Sequence, residues 1–274
     1  MSVIDDVFRK LRATGRKALV AFVPAGDPDL QFTEELLQGL SAAGVTLCEL
    51  GLPYSDPIAD GPVIQAAYTR ALARGIRVQE IFDLLQRVTP RLACPVVLMT
   101  SYAIVFRRGL EGFVQECARR GVAGLIVPDL PVEESRPLAD VCRQFDLSLI
   151  QLVTPTTPPD RALRIAAESS GFLYYVTVTG ITGERDQLPA ELTEKVAWLR
   201  KHTDLPICLG FGISRPEQVT TLAQVADGVI VGSALVRRIA QAESLGRQAA
   251  LEQTLQFVRS LLAALPQGEV ARKT

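Results

Sequence analysis

Eight times along this chain a short apolar run rich in β-branched and aliphatic residues gives way to a Gly/Pro/Asp turn and then to an amphipathic stretch. The runs are 18-ALVAFV-23, 46-TLCELG-51, 95-PVVLMT-100, 123-AGLIVP-128, 148-SLIQLV-153, 172-FLYYVT-177, 206-PICLGF-211 and 228-GVIVGS-233. Strands apolar on both faces have to be covered on both faces, which is the condition of a parallel sheet wrapped by helices. Eight β-then-α units in about 230 residues predict a TIM (β/α)8 barrel. A doubly wound open sheet is the alternative. It would use fewer strands, and the first turn, PAGDPD, lacks the G-x-G-x-x-G of a dinucleotide fold. The 274 residues suit one such barrel, so 1–274 reads as a single domain.

Between the strands lie helical patterns such as 31-QFTEELLQGLSAAG-44, 109-GLEGFVQECARRG-121 and 133-EESRPLADVCRQF-145. Two additions are expected. The stretch 2-SVIDDVFRKLRATG-15 reads as an N-terminal helix that could plug the barrel floor, and the long interval after the second strand holds an added helix, 62-PVIQAAYTRALARG-75, before 78-VQEIFDLLQRV-88. After 234 the pattern is a long helix ending in a polar tail, about 266–274, expected to fray.

Composition removes several function classes. A net charge of −1 provides no basic field for nucleic acid. No apolar run reaches the roughly 18 residues of a membrane helix, and the N-terminus has no hydrophobic signal core, so a cytoplasmic protein is expected. Five cysteines, odd in number, widely spaced and in apolar surroundings, read as reduced packing residues. The only histidine, His202, falls at an expected helix end among exposed residues. A Ser–His–Asp or Cys–His triad and a histidine-based metal site are therefore not expected; proton transfer falls to carboxylate, tyrosine, lysine or cysteine.

Active sites of this fold sit at the C-terminal ends of the strands. Glu49 lies near such an end, inside 45-VTLCELGLP-53. Alternation places Leu47, Glu49 and Gly51 on one face and Cys48 and Leu50 on the other, so Glu49 points into the barrel mouth if its neighbours face the helices. A carboxylate there is desolvated, its pKa rises, and it suits a proton shuttle; the alternative is a buried glutamate paired with a base, and no Lys or Arg lies near in sequence. Asp56 and Asp60, in 55-SDPIADGP-62, have the composition of ordinary turn or cap residues. Two glycine loops, 210-GFGIS-214 and 231-VGSAL-235, follow the last two strands, where this fold often holds a phosphate. A third, 179-TGITGERDQ-187, is long enough to be a lid. The residues alone point to a barrel enzyme with a phosphorylated small-molecule substrate and carboxylate acid–base chemistry.

The stretch from Glu49 to Gln65 matches E-L-G-x-P-[YF]-S-D-P-x-A-D-G-P-x-I-Q at every fixed position, and the chain resembles the tryptophan synthase α-subunit family. The likeness continues through 24-PAGDP-28, 128-PDLPVEES-135, 176-VTVTGITGER-185, 210-GFGISRPEQV-219 and 231-VGSALV-236. It implies cofactor-free retro-aldol cleavage of indole-3-glycerol phosphate to indole and glyceraldehyde 3-phosphate, in tryptophan biosynthesis. By the same resemblance Glu49 would be the general acid–base, Asp60 would hold the indole N–H, and Tyr174 would lie beside the glycerol chain. Phe22, Met99, Ile126, Val153 and Phe211 would line the indole pocket. Gly183, Gly212, Gly232 and Ser233 would bind phosphate, and Thr182 in the lid would orient Asp60. The implied partner is a PLP-dependent β subunit in an α2β2 assembly, met through Pro53 and Asp56, with PLP only in that partner and no metal.

The chain departs from the family after the third strand, where Ser101, Ala103 and Ile104 stand in place of the usual Tyr, Asn and Pro of a loop facing the β subunit. The competing readings are a stand-alone indole-releasing lyase, which would share every catalytic residue, and a non-catalytic barrel that binds a partner, which intact Glu49 and Asp60 oppose. A phosphoribosyl isomerase is a third; it would need an acid on the first strand, which ends here in Phe22-Val23-Pro24.

Overall fold

The computed structural model describes residues 2–58, 60–176, 190–210 and 212–268. The chain opens with α1 (Val3–Ala13), whose N-cap Ser2 and Asp5 form a reciprocal capping box. Then come β1 (Ala18–Pro24) and α2 (Leu30–Ala43), the helix capped by Asp29, which accepts from Phe32 N at 2.7 Å, and ended by Gly44 in the left-handed region. After β2 (Leu47–Gly51) follow α3 (Pro62–Ala73), with proline at its first position, and α4 (Val78–Val88). These two are the expected pair of helices after the second strand.

β3 (Val96–Met99) leads into α5 (Tyr102–Arg108) and α6 (Leu110–Arg119), then β4 (Val122–Ile126) and α7 (Val132–Gln144). The 101–104 segment, expected as a loop, is thus the start of a helix: Ser101 caps it, its Oγ accepting from Ala103 N at 3.2 Å. The expected strand 148–153 is two short pieces, β5 (Ser148–Ile150) and β6 (Leu152–Val153). Next are α8 (Pro159–Glu168), β7 (Leu173–Val176), α9 (Ala190–Arg200), β8 (Ile207–Gly210), α10 (Pro216–Ala223) and β9 (Gly228–Val231). The single helix expected after 234 is three: α11 (Ser233–Ile239), α12 (Ala242–Leu245) and α13 (Arg247–Ala263), the last set off by Gly246, φ +87°.

All pairings are parallel, in the order β5-β4-β3-β2-β1-β9-β8-β7-β6. The ends of that series are neighbours in sequence. β5 pairs with β4, β6 pairs with β7, and the Gln151 carbonyl between them accepts from Tyr174 N at 3.1 Å. One segment therefore closes a (β/α)8 barrel. Two apolar layers follow from the period of two. Outward residues such as Leu19, Cys48, Leu98 and Leu149 pack against the helices, and inward ones such as Val20, Leu47, Val97, Ile150 and Ile230 fill the lumen. α1 covers the floor: Ile4 and Phe8 join the lumen layer, Phe8 packs on Phe172 with ring centroids 5.7 Å apart, and the hydroxyls of Ser2 and Ser148 are hydrogen-bonded at 2.7 Å.

Candidate active site

At the opposite end β2 delivers Glu49. Leu47 below it lies in the lumen layer while Cys48 and Leu50 lie in the outer one, so Glu49 faces inward, as alternation predicts. Its register partners are Phe22 on β1 and Val97 on β3. The side chain is 1% exposed, and among the described residues neither carboxylate oxygen has a hydrogen-bond partner. Desolvation, and secondarily the charge of Asp60, push its pKa up to about 8. It is predominantly a carboxylic acid at neutral pH.

Asp60 hangs over the mouth on the loop between β2 and α3, half-buried, with its pKa pushed up to about 6 by burial. The Tyr54 hydroxyl donates to Asp60 Oδ2 at 3.3 Å, which opposes that rise. Two carboxylates in one mouth are thus driven to different protonation states, the arrangement that separates an acid from a charge stabiliser. The surrounding backbone is pinned. Ala25 N donates to Gly51 O at 2.9 Å and Leu52 N to Met99 O at 2.8 Å. Buried Asp27, in the PAGDP turn, holds Arg70 of α3 through two hydrogen bonds of 3.0 and 2.6 Å.

Tyr174 on β7 is held neutral by burial and by the two carboxylates nearby. Its ring lies against Gly210, where a Cβ would come within 2.6 Å of the ring. Gly51 makes room in the same way: a Cβ there would sit 2.3 Å from the Tyr68 hydroxyl and 2.7 Å from the Phe22 ring. Phe22, Met99 and Ile126 join the lumen layer. Val153 does not. It packs in the outer layer, and Leu152 is the residue that meets the lumen, as the alternation running from Ser148 through Ile150 requires. The sequence reading also missed Tyr54 and Tyr68, whose ring centroids lie 5.5 Å apart. Both carboxylates act on the Tyr68 hydroxyl and, with burial, hold it neutral. Tyr68 stands on α3, and a tyrosine there carries no spacing signal that separates a site residue from ordinary helix packing.

After β9, Gly232 is the N-cap of α11 and Ser233 its first residue, both half-buried. A Cβ on Gly232 would lie 3.6 Å from Phe22, so this helix start adjoins the apolar lumen layer. Gly212, at φ +50°, is exposed in the loop after β8. Thr182, Gly183 and Phe211, and the whole of the expected lid 179–187, lie outside the described residues. Pro53 is buried and Asp56 exposed on the Asp60 loop. His202 is on the surface, its Nδ1 2.8 Å from Trp198 O. Ser101 Oγ donates to Asp129 at 2.6 Å and Tyr102 N to the same carboxylate at 2.8 Å, which gives the 128-PDLP turn a structural task. Among the described residues no three His, Cys, Asp or Glu side chains come together to hold a metal ion, and no helix is long and apolar enough to cross a membrane.

A parallel barrel with a buried acid on one strand end, a second carboxylate on the adjoining loop and a helix start beside the apolar lumen layer defines a TIM-barrel enzyme of the acid–base kind. The family model for the tryptophan synthase alpha chain matches residues 8–265. The tryptophan synthase alpha chain of Rhodopirellula baltica is 54% identical over 245 residues, covering 88% of each chain, and that of a Picosynechococcus species is 45% identical over 96% of this chain and 100% of its own. Among solved structures, tryptophan synthase subunit alpha from Legionella pneumophila superposes with a TM-score of 0.88 at 34% identity, covering 96% of this chain and 98% of that one. A chain of tryptophan synthase from M. tuberculosis gives 0.85 at 31% identity over 97% and 100%. The chain belongs to the tryptophan synthase alpha chain family, and it is a carbon–carbon lyase.

Proposed function

We propose that this chain, a single barrel domain, cleaves indole-3-glycerol phosphate through Glu49 and Asp60. The observation that carries the assignment of roles is the pair of displaced acidities in one mouth, about 8 for Glu49 and about 6 for Asp60. The protonated Glu49 gives its proton to C3 of the indole ring, which becomes an indolenine cation. Asp60, ionised at neutral pH, accepts the ring N–H and offsets the developing positive charge. The Glu49 carboxylate then takes the proton of the adjacent glycerol hydroxyl. The C–C bond breaks, its electrons restore the indole, and the new carbonyl is that of glyceraldehyde 3-phosphate. Glu49 ends protonated, as it began.

Phe22, Met99 and Ile126 make the wall for the indole, and Tyr174 flanks the glycerol chain. Gly232, Ser233 and Gly212 offer backbone N–H groups to the phosphate, with the first turn of α11 aimed at it; Gly183 and Thr182 belong to the same reading. The partner is a β subunit that consumes the indole with its own PLP, in an α2β2 assembly, in the cytoplasm. Pro53 and Asp56 are on the loop that would meet it.

The test is indole release from indole-3-glycerol phosphate by wild type and Glu49→Gln, each with and without a β subunit. Weak release that rises with the partner and disappears in the variant supports the α-subunit reading. Equal, fast release without the partner supports a free-standing lyase. Unimpaired release by Glu49→Gln overturns the role given to Glu49.

A further inference from the structure

On the outer face of β2, one residue below Glu49, Cys48 meets Cys94 with the two sulfurs 3.6 Å apart. They are far apart in sequence and come together because Cys48 N donates to Pro95 O at 3.0 Å as β2 and β3 begin to pair. Cys48 is wholly buried. Cys94, 7% exposed, lines a cavity of about 400 Å³ at the lower end of β3 and β4, beside Val96, Ala118, Gly121 and Leu147. Ala93 N donates to Ser41 Oγ at 2.7 Å, which leaves the Ser41 hydroxyl proton free for the Cys94 sulfur. The hydrogen bond from Cys48 is the largest influence on Cys94 and holds its pKa down to about 7, while burial pushes the Cys117 and Cys142 thiols up. Among the described cysteines, Cys94 thus combines thiolate character with a route from solvent.

We propose that Cys94 is a site of modification by peroxide and that Cys48 resolves it as an intrachain disulfide, slowing turnover. The Cys94 thiolate attacks one oxygen of hydrogen peroxide, the O–O bond breaks, hydroxide leaves, and Cys94 becomes a sulfenic acid. The Cys48 thiol loses its proton and attacks the Cys94 sulfur; the S–S bond forms, the S–O bond breaks, and hydroxide leaves again. Two thiols and one peroxide give one disulfide and two waters. An S–S bond is about 2.05 Å long, so the sulfurs must approach by about 1.5 Å. That movement draws on β2 at the residue next to Glu49. The effect on turnover rests on the function proposed above; formation of the bond does not.

The full chain, with its β subunit, is treated with hydrogen peroxide and its peptides are mapped without reduction, alongside indole release. The expected result is a Cys48–Cys94 cross-linked peptide, loss of two of the five titratable thiols, and a fall in indole release of at least about tenfold, since displacement of a catalytic group by about 1 Å can cost more than that. Dithiothreitol restores both. Cys94→Ala, reduced, keeps its rate and becomes insensitive to peroxide. Oxidation of another cysteine first, a sulfinic acid at Cys94 without the cross-link, or a cross-link that leaves the rate unchanged overturns the proposal; the peptide map decides the first two in the wild-type chain even if the variant does not fold.

Discussion

Glu49 shows how one side chain can be useful and costly together. Its folded pKa of about 8 lies above the unfolded value of 4.5. Between those values the native state holds the proton and the unfolded state does not, so stability falls as pH rises through that window. Glu49→Gln removes the titrating group. It is expected to unfold at higher urea concentration than wild type at pH 8.5, by a few kcal/mol on the order of the shift, with the gap closing toward pH 4.5. An unchanged gap across that range would contradict a buried acid. Tyr54→Phe tests the neighbour. The hydrogen bond to Asp60 favours its charged form, so losing it raises the Asp60 pKa above about 6. The acid limb of the pH–rate profile should then move to higher pH, by up to about one unit. These residues differ in how legible they were. Glu49 broke an apolar strand, and that break is visible in the sequence. Tyr68 does not stand out, because an aromatic residue on a helix is ordinary packing until Gly51 is seen to leave room for its hydroxyl.

Among the elements, the strands were legible because each is apolar on both faces and short. The helix α5 was not, since its capping depends on Asp129, a residue distant in sequence that fixes Ser101. Val153 is expected in the pocket wall from the family resemblance alone; the alternation from Ser148 carries on past the break at Gln151 and turns Leu152 inward and Val153 outward. The α3 anchor is also long-range. Arg70 binds Asp27, which is 2% exposed, across 43 residues of sequence. Arg70→Met leaves that carboxylate buried and unpaired, and is expected to cost about 3 kcal/mol in urea unfolding. Since α3 holds one end of the Asp60 loop, indole release should fall with it. Full activity at unchanged stability would mean that the loop does not need this anchor.

Taken as a molecule, the barrel separates a floor from a mouth. The floor carries α1, the lumen residues Ile4 and Phe8 and the hydroxyl pair Ser2–Ser148; the mouth carries Glu49 and Asp60. Phe8→Ala empties ring volume at the floor and is expected to lower stability by about 3–5 kcal/mol. At a temperature where the variant is still folded, indole release should match wild type, because the change is at the other end of the lumen; a large loss of rate would show that the two ends are coupled. The closing segment 148–153 has a further consequence. It lies mid-chain and touches both sheet edges, while β1 waits for β9, near the far end of the chain, to cover its free side. During synthesis from the N-terminus, the half-made sheet therefore carries two bare margins until β9 emerges, and the growing polypeptide needs protection from its neighbours until then.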